Sequence, residues 1–368
     1  MENKNGELSE KRNVQKMHLS RICSPELGLS PESNSGGELY DREVINRLCA
    51  RGVKVFTLLP KARPYLKHQN LSVSYAPIQP MFPPHIFSAF VLPYLIKTYK
   101  KEKFDILRVH NPYFVGPAAL VFKKLYPQVP IIASYLHLES GANQFIDRLV
   151  VKSFDHIICI SQNTKQEIID KLNYPAKKIS VAYPGVDKRF QPGGKHVGRF
   201  TIMFVGGLKP RKNPEFLLKV LTKLDRPEVQ LIFCGTGPLK NKLVGSNVKV
   251  TGYVPESQKP ALYHQASVVV LPSIKEGFGM TLTEAGASGI PVISNNHSSI
   301  REIIQDNQTG FLARTNDVAD WVNKLLQLIK SPQLCEKMGD QARKFITQTF
   351  TWDKNINIHL KIYESLIS

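Results

Sequence analysis

The sequence predicts an α/β protein built from two doubly wound, parallel-sheet domains. Three observations lead there. Short continuous apolar runs alternate with amphipathic stretches, as expected of parallel strands buried on both faces. The alternation occurs twice, on either side of a Gly-, Pro- and charge-rich stretch, YPGVDKRFQPGGKHVGR (183–199). The length, 368 residues, also exceeds what one hydrophobic core usually serves.

The first strand is expected near VQKMHLSRICS (14–24). Lys16, His18 and Arg21 make it poorly apolar, so its place is set by the loop and helix that follow. GGELYDREVINRLCARG (36–52) reads as that helix, because Leu39, Val44, Ile45, Leu48 and Cys49 recur at helical spacing. VKVFTLLP (53–60), FDILRVH (104–110), VPIIASYLH (129–137) and HIICIS (156–161) read as buried strands, and QNTKQEIIDKLN (162–173) as a helix. In the second half FTIMFVGG (200–207), VQLIFCGTG (229–237), VKVTGY (248–253), ASVVVLPS (266–273) and GIPVISNN (289–296) repeat the scheme. TWDKNINIHLKIYESLIS (351–368) reads as a closing helix. The expected organisation is a polar extension (1–13), an N-terminal domain (14–185), a linker (186–199), a C-terminal domain (200–345) and a last segment (346–368) returning to the N-terminal domain.

Lys and Arg number 49 against 30 Asp and Glu, a net charge of +19. The excess is spread over both halves, and no RNP, zinc-finger or basic-zipper pattern accompanies it. Nucleic acid is therefore not the expected partner. The five cysteines are widely spaced, without C-x-x-C, and Cys159 and Cys234 fall in apolar strand runs. They read as core thiols of a reducing, cytoplasmic compartment. No apolar run reaches the ~20 residues of a membrane span, and MENKNGELSEKR lacks the apolar core of a signal peptide.

The strongest chemical signal is Glu276-Gly277-Phe278-Gly279-Met280-Thr281-Leu282-Thr283-Glu284. It follows the strand ASVVVLPS and a short loop. The glycines permit a tight turn, and a helix is expected from about Met280 to Ser288. At about 100° per residue the two glutamates cannot share one helix face, so Glu276 lies in the loop and Glu284 on the helix. The free N–H groups of that helix start attract an anion. A carboxylate on either side can accept hydrogen bonds from sugar hydroxyls. A phosphate flanked by two polyols is the ligand this suits, and a nucleotide sugar has that form.

This stretch resembles the E-x7-E motif of retaining glycosyltransferases with the GT-B fold, most closely glycosyltransferase family 4. The resemblance spans roughly 14–368 and is strongest over 200–312. It implies two Rossmann-like domains facing each other across a cleft, with Glu276 on the donor sugar and Glu284 on the nucleotide ribose. Gly206-Gly207-Leu208-Lys209-Pro210-Arg211-Lys212-Asn213 resembles the family's diphosphate loop, G-R-L-x-x-x-K-G/N. Lys212 matches its lysine. Gly207 stands where the family has arginine, and Arg211 is the candidate replacement. Ser35-Gly36-Gly37-Glu38 resembles the glycine pair that approaches the diphosphate from the opposite domain. His137, at the end of its strand, matches a histidine that contacts the transferred sugar, with His110 a weaker candidate. Gly235-Thr236-Gly237 and Tyr253-Val254 resemble segments near the nucleotide. Gly277, Phe278, Gly279, Met280 and Thr281 complete the donor-binding residues that the resemblance implies, while Ser298–Glu302 and Gly310–Leu312 read mainly as structural.

The activity implied is retaining transfer of a hexose from a UDP- or GDP-sugar to a hydroxyl of a glycan, lipid-linked or small-molecule acceptor. No Asp-x-Asp occurs, so no metal and no cofactor are expected. No paired carboxylates bracket a glycosidic bond as in retaining hydrolases, which favours front-face transfer with the donor phosphate assisting the acceptor hydroxyl. An inactive nucleotide-sugar-binding protein is the alternative, and a nucleic-acid-binding protein a remote one. Residues 61–103 carry Lys61, Arg63, Lys67, Lys97, Lys100, Lys101 and Lys103 around the apolar MFPPHIFSAFVLPYLI (81–96). Two readings stand for this segment: contact with an anionic membrane surface or lipid-linked acceptor, or a core helix interrupted by Pro93.

Overall fold

A computed structural model of the chain describes residues 20–33, 35–78, 84–193 and 198–367. The first half supplies strands β1 (Arg21–Cys23), β2 (Lys54–Pro60), β3 (Leu71–Ala76), β4 (Ile106–His110), β5 (Ile131–Tyr135), β6 (His156–Cys159) and β7 (Ile179–Val181). They form one parallel sheet in the order β3-β2-β1-β4-β5-β6-β7. Helices α1 (Gly36–Ala50), α2 (Pro84–Glu102), α3 (Pro112–Leu125), α4 (Ala142–Val150) and α5 (Gln162–Leu172) connect them. The second half supplies β8 (Thr201–Val205), β9 (Gln230–Cys234), β10 (Val248–Gly252), β11 (Val268–Leu271), β12 (Val292–Asn295) and β13 (Gly310–Ala313). These pair in the order β10-β9-β8-β11-β12-β13, again parallel. Their helices are α6 (Pro214–Leu224), α7 (Lys259–Tyr263), α8 (Met280–Ala287), α9 (Ile300–Ile303), α10 (Val318–Lys330), α11 (Pro332–Thr349) and α12 (Trp352–Ile367).

Strand order reverses between β1 and β4 in the first sheet and between β8 and β11 in the second. The crevice outside the strand C-termini at such a switch point is where doubly wound folds hold ligands. The central strands β4, β5, β8 and β11 are buried at every residue, which is why they stand out as apolar runs. β3, β7 and β13 lie at sheet edges and were not anticipated. β3 alternates exposed and half-buried residues, so its apolar signal is halved. The expected first strand contracts to Arg21–Cys23, and its part before residue 20 lies outside the described residues.

The apolar stretch within 61–103 belongs largely to α2. Phe87, Val91 and Leu95 are fully buried, so one face of this helix serves the core, while Pro93 is exposed. Residues 79–83 lie outside the described residues. Cys23, Cys49, Cys159 and Cys234 are buried core thiols.

Beneath the first switch point lies a buried ionic cluster. Arg108 on β4 contacts Glu26 at 2.9 Å and Asp41 on α1 at 2.5 Å, and His110 Nδ1 is 3.3 Å from the same Asp41 oxygen. Burial raises Glu26 well above the ordinary range, and Asp41 beside it adds to the effect. Burial opposes charge on Asp41 too, but Arg108, then His110, outweigh it and bring it down to about 2. Burial lowers His110 to about 4. Within the cluster the Asp41–Arg108 pair is therefore the favoured ion pair, while burial works against charge on Glu26 and His110.

Helix α12 returns to α1. Asn355 donates to the carbonyls of Ala182 and Tyr183 at 3.0 and 2.9 Å, Arg51 pairs with Asp353 at 2.7 Å, and the Arg47 guanidinium lies 5.2 Å from the Trp352 ring centre. A second tie runs the other way. Glu302 on α9 accepts the backbone N–H groups of Gln162 and Asn163 at 2.8 and 2.9 Å, and the Tyr183 hydroxyl at 2.8 Å. A carboxylate from the C-terminal domain therefore sits at the positive end of α5 in the N-terminal domain. Glu302→Ala should lower stability by about 1–2 kcal/mol, as loss of a helix cap does. Scanning calorimetry should also show the transition broadening as the domains uncouple. An unchanged thermogram would show that the tie carries no coupling.

Candidate functional site

The loop joining β11 to α8 carries Glu276 to the mouth of the cleft, and α8 itself carries Glu284. The loop is held from below by Ser299, whose hydroxyl donates to the carbonyls of Glu276 at 3.3 Å and Phe278 at 3.2 Å. It also presses against the other domain. A Cβ on Gly277 would lie 2.2 Å from the Leu136 carbonyl oxygen, so only glycine permits this backbone approach. Lys275 donates to the carbonyl of Leu138 at 2.7 Å. His137 is flanked by these two contacts, two residues beyond the end of β5 rather than within it. It is exposed, with Nε2 2.8 Å from Glu139 Oε1.

Helix α1 starts at the same place. A Cβ on Gly37 would lie 2.9 Å from the Leu136 side chain, and one on Gly36 would lie 3.3 Å from that of Met280. Met280 is the first residue of α8. Neither Ser35, before α1, nor Gly279, before α8, makes a side-chain cap bond. Two helix N-termini from different domains thus converge without side-chain caps, each with unsatisfied N–H groups and positive partial charge.

Cationic side chains close the third side. Pro210–Lys212 forms a single 3-10 turn after β8. Lys212 makes a short ion pair with Glu276, and Arg211 lies 3.9 Å from the second Glu276 oxygen while donating to the Lys275 carbonyl at 3.3 Å. Burial penalises the Glu276 charge, but Lys212 outweighs it, with Ser273 and Arg211 assisting, and holds the carboxyl below its usual range. The structure thus places Arg211 beside the motif carboxylate. At Gly207 itself a Cβ would meet nothing nearer than the Lys209 side chain at 3.7 Å, so no packing contact demands glycine there.

Glu284 occupies a separate buried subsite. It accepts the Tyr263 hydroxyl at 2.7 Å and lies 3.6 Å from Lys259, which also pairs with Glu256. Arg189 reaches Glu256 at 3.1 Å. Burial raises Glu284 above the ordinary carboxylate range, with Lys259 pulling the other way. A small interdomain cavity opens here, lined by Thr283 and Glu284 on one side and by Leu39, Arg42 and Glu43 of α1 on the other. Lys259, Tyr263 and Glu256 were missed in the sequence. No motif contains them, although the three-residue spacing of Glu256 and Lys259 is that of a helical ion pair.

The remaining candidates divide. The Gly206 and Gly235 loops are joined backbone to backbone, and a Cβ on Gly235 would fall 1.9 Å from the Gly206 carbonyl oxygen. Tyr253 bridges the cleft, donating to the Glu32 carbonyl at 3.0 Å, and Val254 beside it packs on the core. Thr281 spends its hydroxyl on the Val205 carbonyl at 3.2 Å. Phe278 needs correction as a donor contact. Its ring is buried in an aromatic cluster 5.8 Å from Tyr183 and 5.3 Å from Phe350, which leaves only its backbone for the site. Glu26, Asp41 and His110 are close enough to share a metal ion, but the Arg108 guanidinium already bridges the two carboxylates.

Comparison with known proteins agrees with this geometry. The description "Glycosyltransferase Family 4" matches residues 34–190, and "Glycosyl transferases group 1" matches residues 186–345. An uncharacterised glycosyltransferase of Methanocaldococcus jannaschii is 27% identical over 77% of this chain and 84% of its own. A D-inositol 3-phosphate glycosyltransferase of an Arthrobacter species is 26% identical over 95% of this chain and 94% of its own. Among solved structures, sucrose-phosphate synthase from Thermosynechococcus elongatus superposes with a TM-score of 0.83 at 17% identity, covering 94% of this chain and 99% of that one. The Anabaena protein HepE, solved with UDP and glucose, gives 0.75 at 17% identity, covering 93% and 98%. The paired sheets, the converging helix starts and these matches together establish that the chain belongs to the GT-B glycosyltransferases of the group 1, family 4 type.

Proposed function

We propose that this glycosyltransferase moves a hexose from a UDP- or GDP-sugar to an acceptor hydroxyl, with retention at the anomeric carbon and without a metal. The acceptor is a glycan, a small molecule or a lipid-linked sugar met on the cytoplasmic side. The observation that carries the reading is the convergence of the α1 and α8 N-termini with Lys212 and Arg211 around Glu276. The HepE structures with UDP and with UDP-glucose support a nucleotide-sugar donor of this kind.

In this reading the diphosphate lies between the two helix ends. Lys212 turns from Glu276 towards it and, with Arg211, offsets the negative charge that grows on the leaving group. This supplies what a divalent ion supplies in metal-dependent enzymes. Glu276, released from one partner, accepts hydrogen bonds from the sugar hydroxyls and orients the ring. Glu284, held by Tyr263, receives the ribose hydroxyls. His137 faces the sugar from the other domain. The departing phosphate oxygen takes the acceptor proton as the new glycosidic bond forms on the same face.

Purified enzyme with a panel of UDP- and GDP-sugars and hydroxyl acceptors should release nucleoside diphosphate and form an α-linked product from an α-linked donor. A β-linked product would contradict retention, and donor binding without release across the panel would favour an inactive binding protein. Glu276→Ala should lower kcat about 10²- to 10³-fold, the scale of a lost transition-state contact. Glu284→Ala should instead raise the donor KM about tenfold, as expected for a lost hydrogen-bonded charge. Equal effects on both constants in both variants would overturn the division of roles.

The Lys212–Glu276 pair gives a further prediction. Lys212→Met leaves a buried carboxylate without its main partner and should cost about 3 kcal/mol of stability. Lys212→Met/Glu276→Gln should recover most of that loss in a double-mutant cycle. In Lys212→Met the acid limb of the residual activity should move to higher pH, because only the weaker effects of Ser273 and Arg211 then oppose burial at Glu276. Additive stability losses with an unmoved acid limb would contradict the coupling.

A further inference from the structure

We propose that the outer face of α2, α3 and α4 is a docking surface for an anionic lipid bilayer. These helices pack side by side on one face of the first sheet. Their outward side carries exposed apolar residues where a solvated face would be polar. Phe145 and Leu149 are 62% and 57% exposed, one helical turn apart on α4. Val121 and Leu125, 42% and 54% exposed, repeat this spacing on α3. Two adjacent helices thus present paired apolar side chains to solvent.

The charge on the same face has one sign. Lys97, Lys100 and Lys101 on α2, Lys124 on α3, Arg148 on α4 and Lys152 just beyond it are exposed. The only described carboxylates on the three helices are Asp147, fully buried, and Glu102, half-buried and within ion-pair distance of Lys54 and Lys101. Lysines in a last helical turn also complement the helix dipole, which accounts for those ending α2 and α3. Arg148 likewise falls in the last turn of α4 and donates to the Lys171 carbonyl at 3.4 Å, so it is the exposed apolar pairs that the dipole effect leaves unexplained. Apolar side chains that enter the headgroup boundary, surrounded by cations and free of exposed acids, are what an anionic bilayer surface recognises. By contrast, exposed acid returns on the neighbouring α5, at Asp170, so the complementary face ends there.

The orientation suits the chemistry of the cleft. α3 begins just after His110, at the C-terminal end of β4, and α4 just after the His137 segment that follows β5. The surface therefore runs from the cleft mouth along the outside of the N-terminal domain. A bilayer lying on it would bring a lipid-linked hydroxyl acceptor to the edge of the site. The lipid surface rests on exposure and charge alone, and its test is independent of the donor chemistry.

Co-sedimentation of the full chain with phosphatidylcholine vesicles, and with vesicles also containing phosphatidylglycerol, decides the matter. Binding should appear with the anionic vesicles only and weaken as salt rises. Phe145→Ser/Leu149→Ser and Lys124→Glu/Arg148→Glu should each reduce it at least tenfold, about 1.4 kcal/mol, in the range that buried apolar area and one or two cations supply. Val244→Ser, which removes an exposed apolar residue of the other domain, should leave it unchanged. Circular dichroism spectra and nucleotide-sugar binding in solution should match the wild type in all three variants. Absence of binding to anionic vesicles, or binding that neither double variant weakens, would overturn the proposal.

Discussion

A helix start without a side-chain cap leaves N–H groups with nowhere to donate, and here two such starts meet from different domains. α1 and α8 come close enough that a Cβ on Gly36 would lie 3.3 Å from the end of the Met280 side chain. Like partial charges face each other across this gap, an arrangement that an anion between them would relieve. The rest of the site follows from that constraint. Gly277 lets its backbone approach that of Leu136, Gly36 and Gly37 leave room for the Met280 and Leu136 side chains, and Lys212 and Arg211 add full charge to the partial charges. The domain ties through Glu302 and α12 hold the two starts opposite each other.

The motif carboxylates at the cleft are each held beside a lysine. Glu276 is nearly buried, yet Lys212 keeps it ionised. Glu284, equally enclosed, is left with a raised pKa because Lys259 is shared with Glu256. The two motif carboxylates, eight positions apart in sequence, thus differ in protonation tendency. Deeper in the first domain, Arg108 fixes Asp41 and so anchors α1, whose start forms one side of the cleft.

Most of the architecture was legible because central parallel strands are apolar at every position, as in β4, β5, β8 and β11. The edge strands β3, β7 and β13 were not, since an edge strand is short or exposes alternate residues. The motif glutamates, Lys212 and the Gly36–Gly37 pair were legible because each sits in a local pattern with a chemical reason. Arg211 was a candidate from its loop, but its place beside Glu276 was not legible, because it depends on two loops meeting. Lys259 and Tyr263 were hidden for the same reason: a subsite assembled from separate elements leaves no local spacing to read. Phe278 misled in the opposite direction, being inside the motif yet turned into the core. Part of the net charge of +19, at first suggestive of nucleic acid, lies on Lys212 and Arg211 at the cleft and part on the exposed lysines of α2 and α3, while the rest is spread over the surface of both halves.

The central claim is that the α1 and α8 N-termini jointly bind the donor diphosphate. A crystal structure with the preferred nucleotide sugar tests it directly. The account predicts phosphate oxygens within hydrogen-bond distance of backbone N–H groups from both helix starts, with Lys212 turned from Glu276 onto the diphosphate. A diphosphate contacted by only one helix start, or a Lys212–Glu276 pair unchanged by the bound donor, would contradict it.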